Sequence, residues 1–227
     1  MREGVLWGEH LDEYSRMFGL TETDLNSRLL EYNCGATAVN AELRQENRSI
    51  ISCDPLFSLE KNDFVHTVNK TFDQAVCDLR NASKQYDFSY YGGFEALVKK
   101  RRQGIETCLA DYEQGVIEGR YLPCEEDVVP FENFSFDLAI STNYLFSSIS
   151  PQGIDFHLQC IRELTRVAKE VRIFSLMDRD GQPSPLIGPV LLGLQQANYG
   201  VEIRTVDYQL QQGDQAMLRV WALECVV

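Results

Sequence analysis

Apolar positions along this chain follow two periods, and the places where the period changes outline its elements. Short apolar runs bounded by turn residues read as strands at Arg28–Tyr32, Ser49–Cys53, Phe136–Ser141 and Val171–Met177. Between them the spacing is helical. Residues 8–26 form two helical pieces broken near Gly19, and Thr21 with Asp24 caps the second. Thr37 to about Glu46 reads as a crossover helix with Thr37 as its N-cap. Ser150-Pro151 opens a helix that runs to about Lys169, and Ser184-Pro185 opens one that ends near Gly200. Gly119–Cys124 is a weaker strand, and Pro123 marks it as a sheet edge. VEIRTVDYQ and AMLRVWAL close the chain with only Leu210–Gln215 between them, which forces an antiparallel pair.

Residues 56–118 are far longer than the roughly dozen residues a parallel crossover needs. Apolar residues recur at helical spacing from Phe64 to Leu79, and again on a stripe from Phe94 through Leu97, Arg101, Ile105 and Cys108 to Tyr112. The aromatic segment QYDFSYYGG separates the two. This reads as a helical insertion, a kind of segment that often serves as a lid at a ligand rim. The alternation of strand and helix gives an α/β class with helices on both faces of a mostly parallel sheet. The whole chain, 1–227, reads as one domain, with N-terminal helices in 1–27 and the insertion in 56–118.

Composition narrows the function. A hydrophobic share of 44% and a charged share of 24% exclude a disordered chain. The net charge of −13 disfavours a nucleic-acid partner. The one basic run, Lys99 to Arg102, reads as a solvated helix face. Seven cysteines lie scattered, with no CxxC and no metal-ligand spacing against the three histidines. That pattern suits reduced thiols in a cytoplasmic protein without a metal. No apolar run reaches signal-peptide or membrane-spanning length. Nothing in the composition speaks to oligomeric state.

The chemistry concentrates in RLLEYNCGATAVNAELRQENRSIISCDP. Glu31 stands at the end of one strand, Gly35 in the turn after it, and Asp54 at the end of the next strand, 23 residues beyond Glu31. A parallel βαβ unit brings both acids to one rim, where nucleoside-containing ligands bind and the second acid accepts from the ribose hydroxyls. Asn33 precedes the turn, and asparagine tolerates a left-handed backbone.

These residues resemble the class I S-adenosylmethionine-dependent methyltransferases over roughly 28–54 and 119–224. RLLEYNCGATAVNAEL is similar to the family's acid-ended strand and glycine turn, SIISCDP to its ribose-binding strand, VVPFENFSFDLAISTNYLF to its fourth strand and rim loop, and IRELTRVAKEVRIF to the helix and strand that follow. The insertion and DFHLQCIREL resemble a bacterial small-molecule-type branch. Where the family turn has GxGxG, this chain has Asn33, Gly35 and Thr37.

The resemblance implies a Rossmann-like seven-stranded sheet of order 3-2-1-4-5-7-6 with an antiparallel last strand. It implies S-adenosyl-L-methionine as cofactor and a small-molecule or protein methyl acceptor. It places the cofactor on Glu31, Asn33, Cys34, Gly35, Asp54 and Pro55, on Glu125 or Glu126 (with Asp127 an alternative) at the adenine, and on Ser141, Thr142 and Asn143 beneath the sulfonium. His157, Tyr90 and Tyr91 are the candidates for proton transfer or substrate closure, and Tyr14 and Phe18 for covering the cofactor. Two other readings remain open. The fold could serve as a non-catalytic interaction module, or Asn33, Gly35 and Ala38 could be a degenerate GxGxxG of an NAD(P)-binding oxidoreductase.

Overall fold

The computed structural model describes residues 7–125, 128–147, 153–178 and 180–223. Helices α1 (Leu11–Phe18) and α2 (Glu22–Leu25) precede strand β1 (Leu29–Tyr32). Helix α3 (Val39–Gln45) crosses to β2 (Ile50–Cys53). The insertion follows as α4 (Lys61–Asn81) and α5 (Phe94–Ile117), joined by single-turn pieces. After it come β3 (Tyr121–Leu122), β4 (Phe136–Thr142), α6 (Ile154–Val167), β5 (Ala168–Phe174), α7 (Ile187–Gln196), β6 (Tyr199–Thr205) and β7 (Ala216–Ala222). The sheet order is β3-β2-β1-β4-β5-β7-β6, with β7 antiparallel to both neighbours, as the sequence predicts.

Strand alternation sorts the core into layers. Leu30, Ala139, Val171, Ile173, Leu218 and Val220 face α6 and α7. Leu29, Ile50, Leu138, Ile140 and Met217 face α1 and α3. Glu31 lies two residues beyond Leu29, so it shares that second face rather than opening to solvent at the rim. A third cluster joins Trp7, Cys34, Phe57, Phe64, Phe72, Ile105, Tyr112 and Tyr121, and it fixes the insertion to the edge of the sheet.

Several boundaries differ from the sequence expectation. Thr37 does not cap α3, which starts at Val39 after Ala38; its hydroxyl donates to Glu31 Oε1 at 3.0 Å instead. β5 begins at Ala168, because residues 168–170 already pair with Phe136 to Leu138 of β4. β6 ends at Thr205, not at Gln209, and α7 starts beyond the Ser184-Pro185 signal. The basic run is not one solvated face: Arg101 is 1% exposed. The Thr21–Asp24 cap is present in both directions. The Ser150-Pro151 helix start lies outside the described residues.

Asn40 ties α3 to the sheet edge. Its amide donates to Ile50 O, Ser52 Oγ and Arg120 O at 2.9–3.2 Å, and its Oδ1 accepts from Arg120, whose guanidinium also grips Asp111 of α5. Removing the amide strands several buried groups at about 1–3 kcal/mol each. Asn40→Ala is expected to lower the urea-unfolding free energy by about 3 kcal/mol; a loss below about 0.5 kcal/mol would show that water replaces the amide.

Candidate functional site at the carboxyl rim of the sheet

The turn after β1 uses its backbone as foreseen. Asn33 and Gly35 both take left-handed conformations, φ 53° and φ 69°. Asn33 N–H donates to Cys53 O at 2.8 Å, which welds the turn to the end of β2. Asp54 follows β2 and is fully buried. Its Oδ2 accepts from Gly35 N–H at 2.7 Å, and its Oδ1 accepts from Leu56 N–H at 2.9 Å, where Pro55 opens a single 3₁₀ turn. Asp54 therefore sits beside the glycine turn and braces it. Glu31 is also buried, accepting from Ser52 Oγ at 2.6 Å and from Thr37. Burial raises its pKa against the pull of those hydroxyls. Cys34 is buried next to them.

The space above Gly35 belongs to the chain itself. A Cβ on Gly35 would lie 2.3 Å from Trp7 Nε1, so the indole lies flat against this residue. Glu9 O accepts from Ala38 N–H at 2.8 Å. The Glu9 carboxylate, 1% exposed, accepts from Asn143 Nδ2 at 3.3 Å and lies 3.8 Å from the Arg101 guanidinium. Arg101 also makes a two-pronged pair with Glu13 at 2.9 and 3.1 Å and donates to Tyr208 OH. Trp7, Glu9 and Arg101 were absent from the sequence-derived site. Arg101 had left one sign, its place on the apolar stripe of α5; residues 8–10, expected to be helical, lie ahead of α1, which starts at Leu11, so helical spacing misplaced Glu9.

The other rim residues divide. Ser141 and Thr142 are buried at the end of β4, and Asn143 turns back with φ 52°, its N–H donating to Phe174 O at 2.7 Å. Asn143 is linked to the start of α3 through Glu9, which takes Asn143 Nδ2 on its carboxylate and Ala38 N–H on its carbonyl. Glu125 is exposed, and Glu126 and Asp127 lie outside the described residues. His157 is enclosed: Nδ1 faces Gly153 O at 2.9 Å, Nε2 accepts from Phe146 N–H at 3.3 Å, and burial pushes its pKa down. Tyr90 OH donates to Asp12 at 3.0 Å, while Tyr91 OH joins Glu13 and Tyr208. Both tyrosines pin the insertion to α1. Tyr14 and Phe18 are fully buried on the inner face of α1. Among the described residues no cluster of His, Cys, Asp and Glu could hold a metal, and no helix is long and apolar enough to cross a membrane.

Burial, partly offset by Arg101, raises Glu9 from an ordinary 4.5 to about 7. His10 is raised as well, chiefly by its 2.6 Å contact with Glu42; its other ring nitrogen faces Lys100 O at 3.1 Å. Two acceptors on one ring are both satisfied only by imidazolium. Asp214 is raised to about 6 by burial. Folded-state values above the unfolded ones give stability that is full below the unfolded pKa and lost as pH rises through the folded one. These three groups should thus lower the unfolding free energy between pH 5 and 8, against the opposite contribution of His157, whose depressed value adds stability as pH rises through 6.5. Glu9→Gln should flatten that fall and exceed the wild type at pH 8 by on the order of 3 kcal/mol. Parallel pH curves in urea denaturation would show that Glu9 is ionised throughout.

No protein-family model matches the chain. It is 24% identical over 219 residues to an uncharacterised protein of Methanocaldococcus jannaschii, covering 96% of each. Among solved structures it is similar to a SAM-dependent methyltransferase from Aquifex aeolicus, at 16% identity and TM-score 0.41, covering 87% of this chain and 81% of that one. A SAM-dependent methyltransferase from Methanosarcina mazei gives 11% and 0.45, covering 88% and 93%. Magnesium protoporphyrin IX methyltransferase from Synechocystis, solved with bound SAH, gives 9% and 0.44, covering 87% and 74%. Likeness of this degree leaves activity and ligand to the residues themselves. In strand order and in the antiparallel seventh strand, the architecture of this chain is the class I methyltransferase fold.

Proposed function

We propose that the chain is an S-adenosylmethionine-dependent methyltransferase acting on a small molecule or a protein side chain. The observation that supports this most is the pairing of Asp54 with Gly35 N–H across the ends of β2 and β1. A carboxylate and a glycine turn thus stand side by side at the carboxyl ends of adjacent parallel strands, the place where open α/β sheets take a nucleoside. The donor set suits the cofactor: Asp54 for the ribose hydroxyls, the backbone of Asn33, Cys34 and Gly35 for the methionyl end, and Ser141, Thr142 and Asn143 along the sulfonium. The space does not suit it while Trp7 covers Gly35. When bound, the cofactor would supply a methyl group already activated for in-line displacement. Glu31 would act from below, holding the turn through Thr37 rather than meeting the ligand.

His157, Tyr90 and Tyr91 are each committed to partners within the chain.

Cofactor binding can be measured without an acceptor. Calorimetric titration with S-adenosylhomocysteine should show binding that Asp54→Asn weakens at least about tenfold, because the ribose loses a charged acceptor. At 100 times Kd the ligand should add about 2.7 kcal/mol of stability. Equal affinities would move the site elsewhere. The cover on Gly35 favours one other reading, a non-catalytic interaction module; that reading requires no binding by any folded variant, including one with the cover removed.

A further inference from the structure

We propose that residues Trp7–His10 form an autoinhibitory strap that competes with the cofactor for the space above Gly35. The inference rests on the transferase reading above and concerns its regulation.

The strap threads a slot between the glycine turn and α5, and two glycines make the slot passable. Gly8 has φ 95°, and a Cβ there would lie 2.0 Å from Arg101 O. A Cβ on Gly104, one turn along α5, would lie 2.2 Å from Gly8 O. Trp7 then fills the apolar side, 2% exposed, against Cys34, Ala36, Phe57 and Ile105. Glu9 fills the polar side: its carbonyl takes Ala38 N–H, and its carboxylate takes Asn143 Nδ2. One strap thus contacts the turn after β1, the start of α3 and the loop after β4, and the first and last of these are places given to the cofactor above.

Its attachments differ from those of the helix that follows. α1 is held by the buried Glu13–Arg101 pair and by the two tyrosines of the insertion. His10 O takes Glu13 and Tyr14 N–H at the start of α1; ahead of it, among the described residues, the strap's backbone bond is the one from Ala38 N–H to Glu9 O. His10, with φ −107° and ψ 164°, is the extended residue between the two, and its ring is clamped by Glu42 and Lys100 O. Release therefore pivots at His10 while α1 and the insertion stay in place. Exposing an indole is costly, so the strap would lower apparent cofactor affinity by the fraction of molecules in which it is open.

The test uses the fact that the chain has two tryptophans, Trp7 and Trp221. Trp221 lies on β7, half-buried against Gly200, with β5 and β4 between its strand and β1. In Trp221→Phe, Trp7 is the sole indole reporter. Titration with S-adenosylhomocysteine should shift its emission to the red with the same saturation curve that calorimetry gives. Trp7→Ala, shown folded by circular dichroism, should bind S-adenosylhomocysteine at least tenfold more tightly than the wild type.

Binding to Trp221→Phe with unchanged emission, or binding to Trp7→Ala that is no tighter, would overturn the strap and leave the transferase reading intact. Absence of binding to both variants would overturn both. Should Trp7→Ala not fold, the emission titration of Trp221→Phe decides alone, and no binding there also counts against the strap.

Discussion

The buried guanidinium of Arg101 is the constraint on which the rest of this arrangement depends. It lies at 1% exposure among Glu9, Glu13 and Tyr208, so three parts of the chain distant in sequence meet on a single positive charge. Burying it is unfavourable unless its partners are well aligned, and the two-pronged contact with Glu13 supplies that alignment. A buried ion pair of this kind is a weak source of net stability. Its effect is on geometry: it admits one seating of the insertion on α1, and that seating creates the slot beside the glycine turn. Truncating Arg101 would leave Glu13 buried without its partner and would free the insertion at the same time.

The same economy appears in Asp54. A carboxylate has room for several donors, and here two of them are backbone amides of the chain, one from each side of the rim. Under the proposed function the acid that would meet a ribose is also the brace of the turn beside it, so a substitution at Asp54 would perturb both. The conservative amide is more informative than alanine because it retains an acceptor for Gly35 N–H.

Much of the architecture was legible in the chain. The change from strand to helical spacing located the strands, the six-residue link before AMLRVWAL required an antiparallel end, and Pro123 pointed to an edge. Asn33 at positive φ was legible as well, because few side chains tolerate it. The site was only half legible. Motif spacing brought Glu31, Gly35 and Asp54 together but was silent on where each side chain turns. Pleating carried Glu31 under the sheet, and Thr37 followed it instead of capping α3. Trp7 precedes the first periodic segment and Glu9 stands at its edge, ahead of α1, so no pattern tied them to residues a hundred positions away. Arg101 looked solvated because charge was weighed before its place on the apolar stripe.

The two margins of the sheet have a consequence for colloidal behaviour. β3 has only two residues, with Pro123 directly after it, and offers almost no ladder for another chain to extend. The opposite margin, β6, carries Glu202 and Arg204, and charged side chains on a marginal strand discourage pairing with a stranger. Both devices act against edge-to-edge pairing, which on β6 leaves the half-exposed Ile203 flanked by charges.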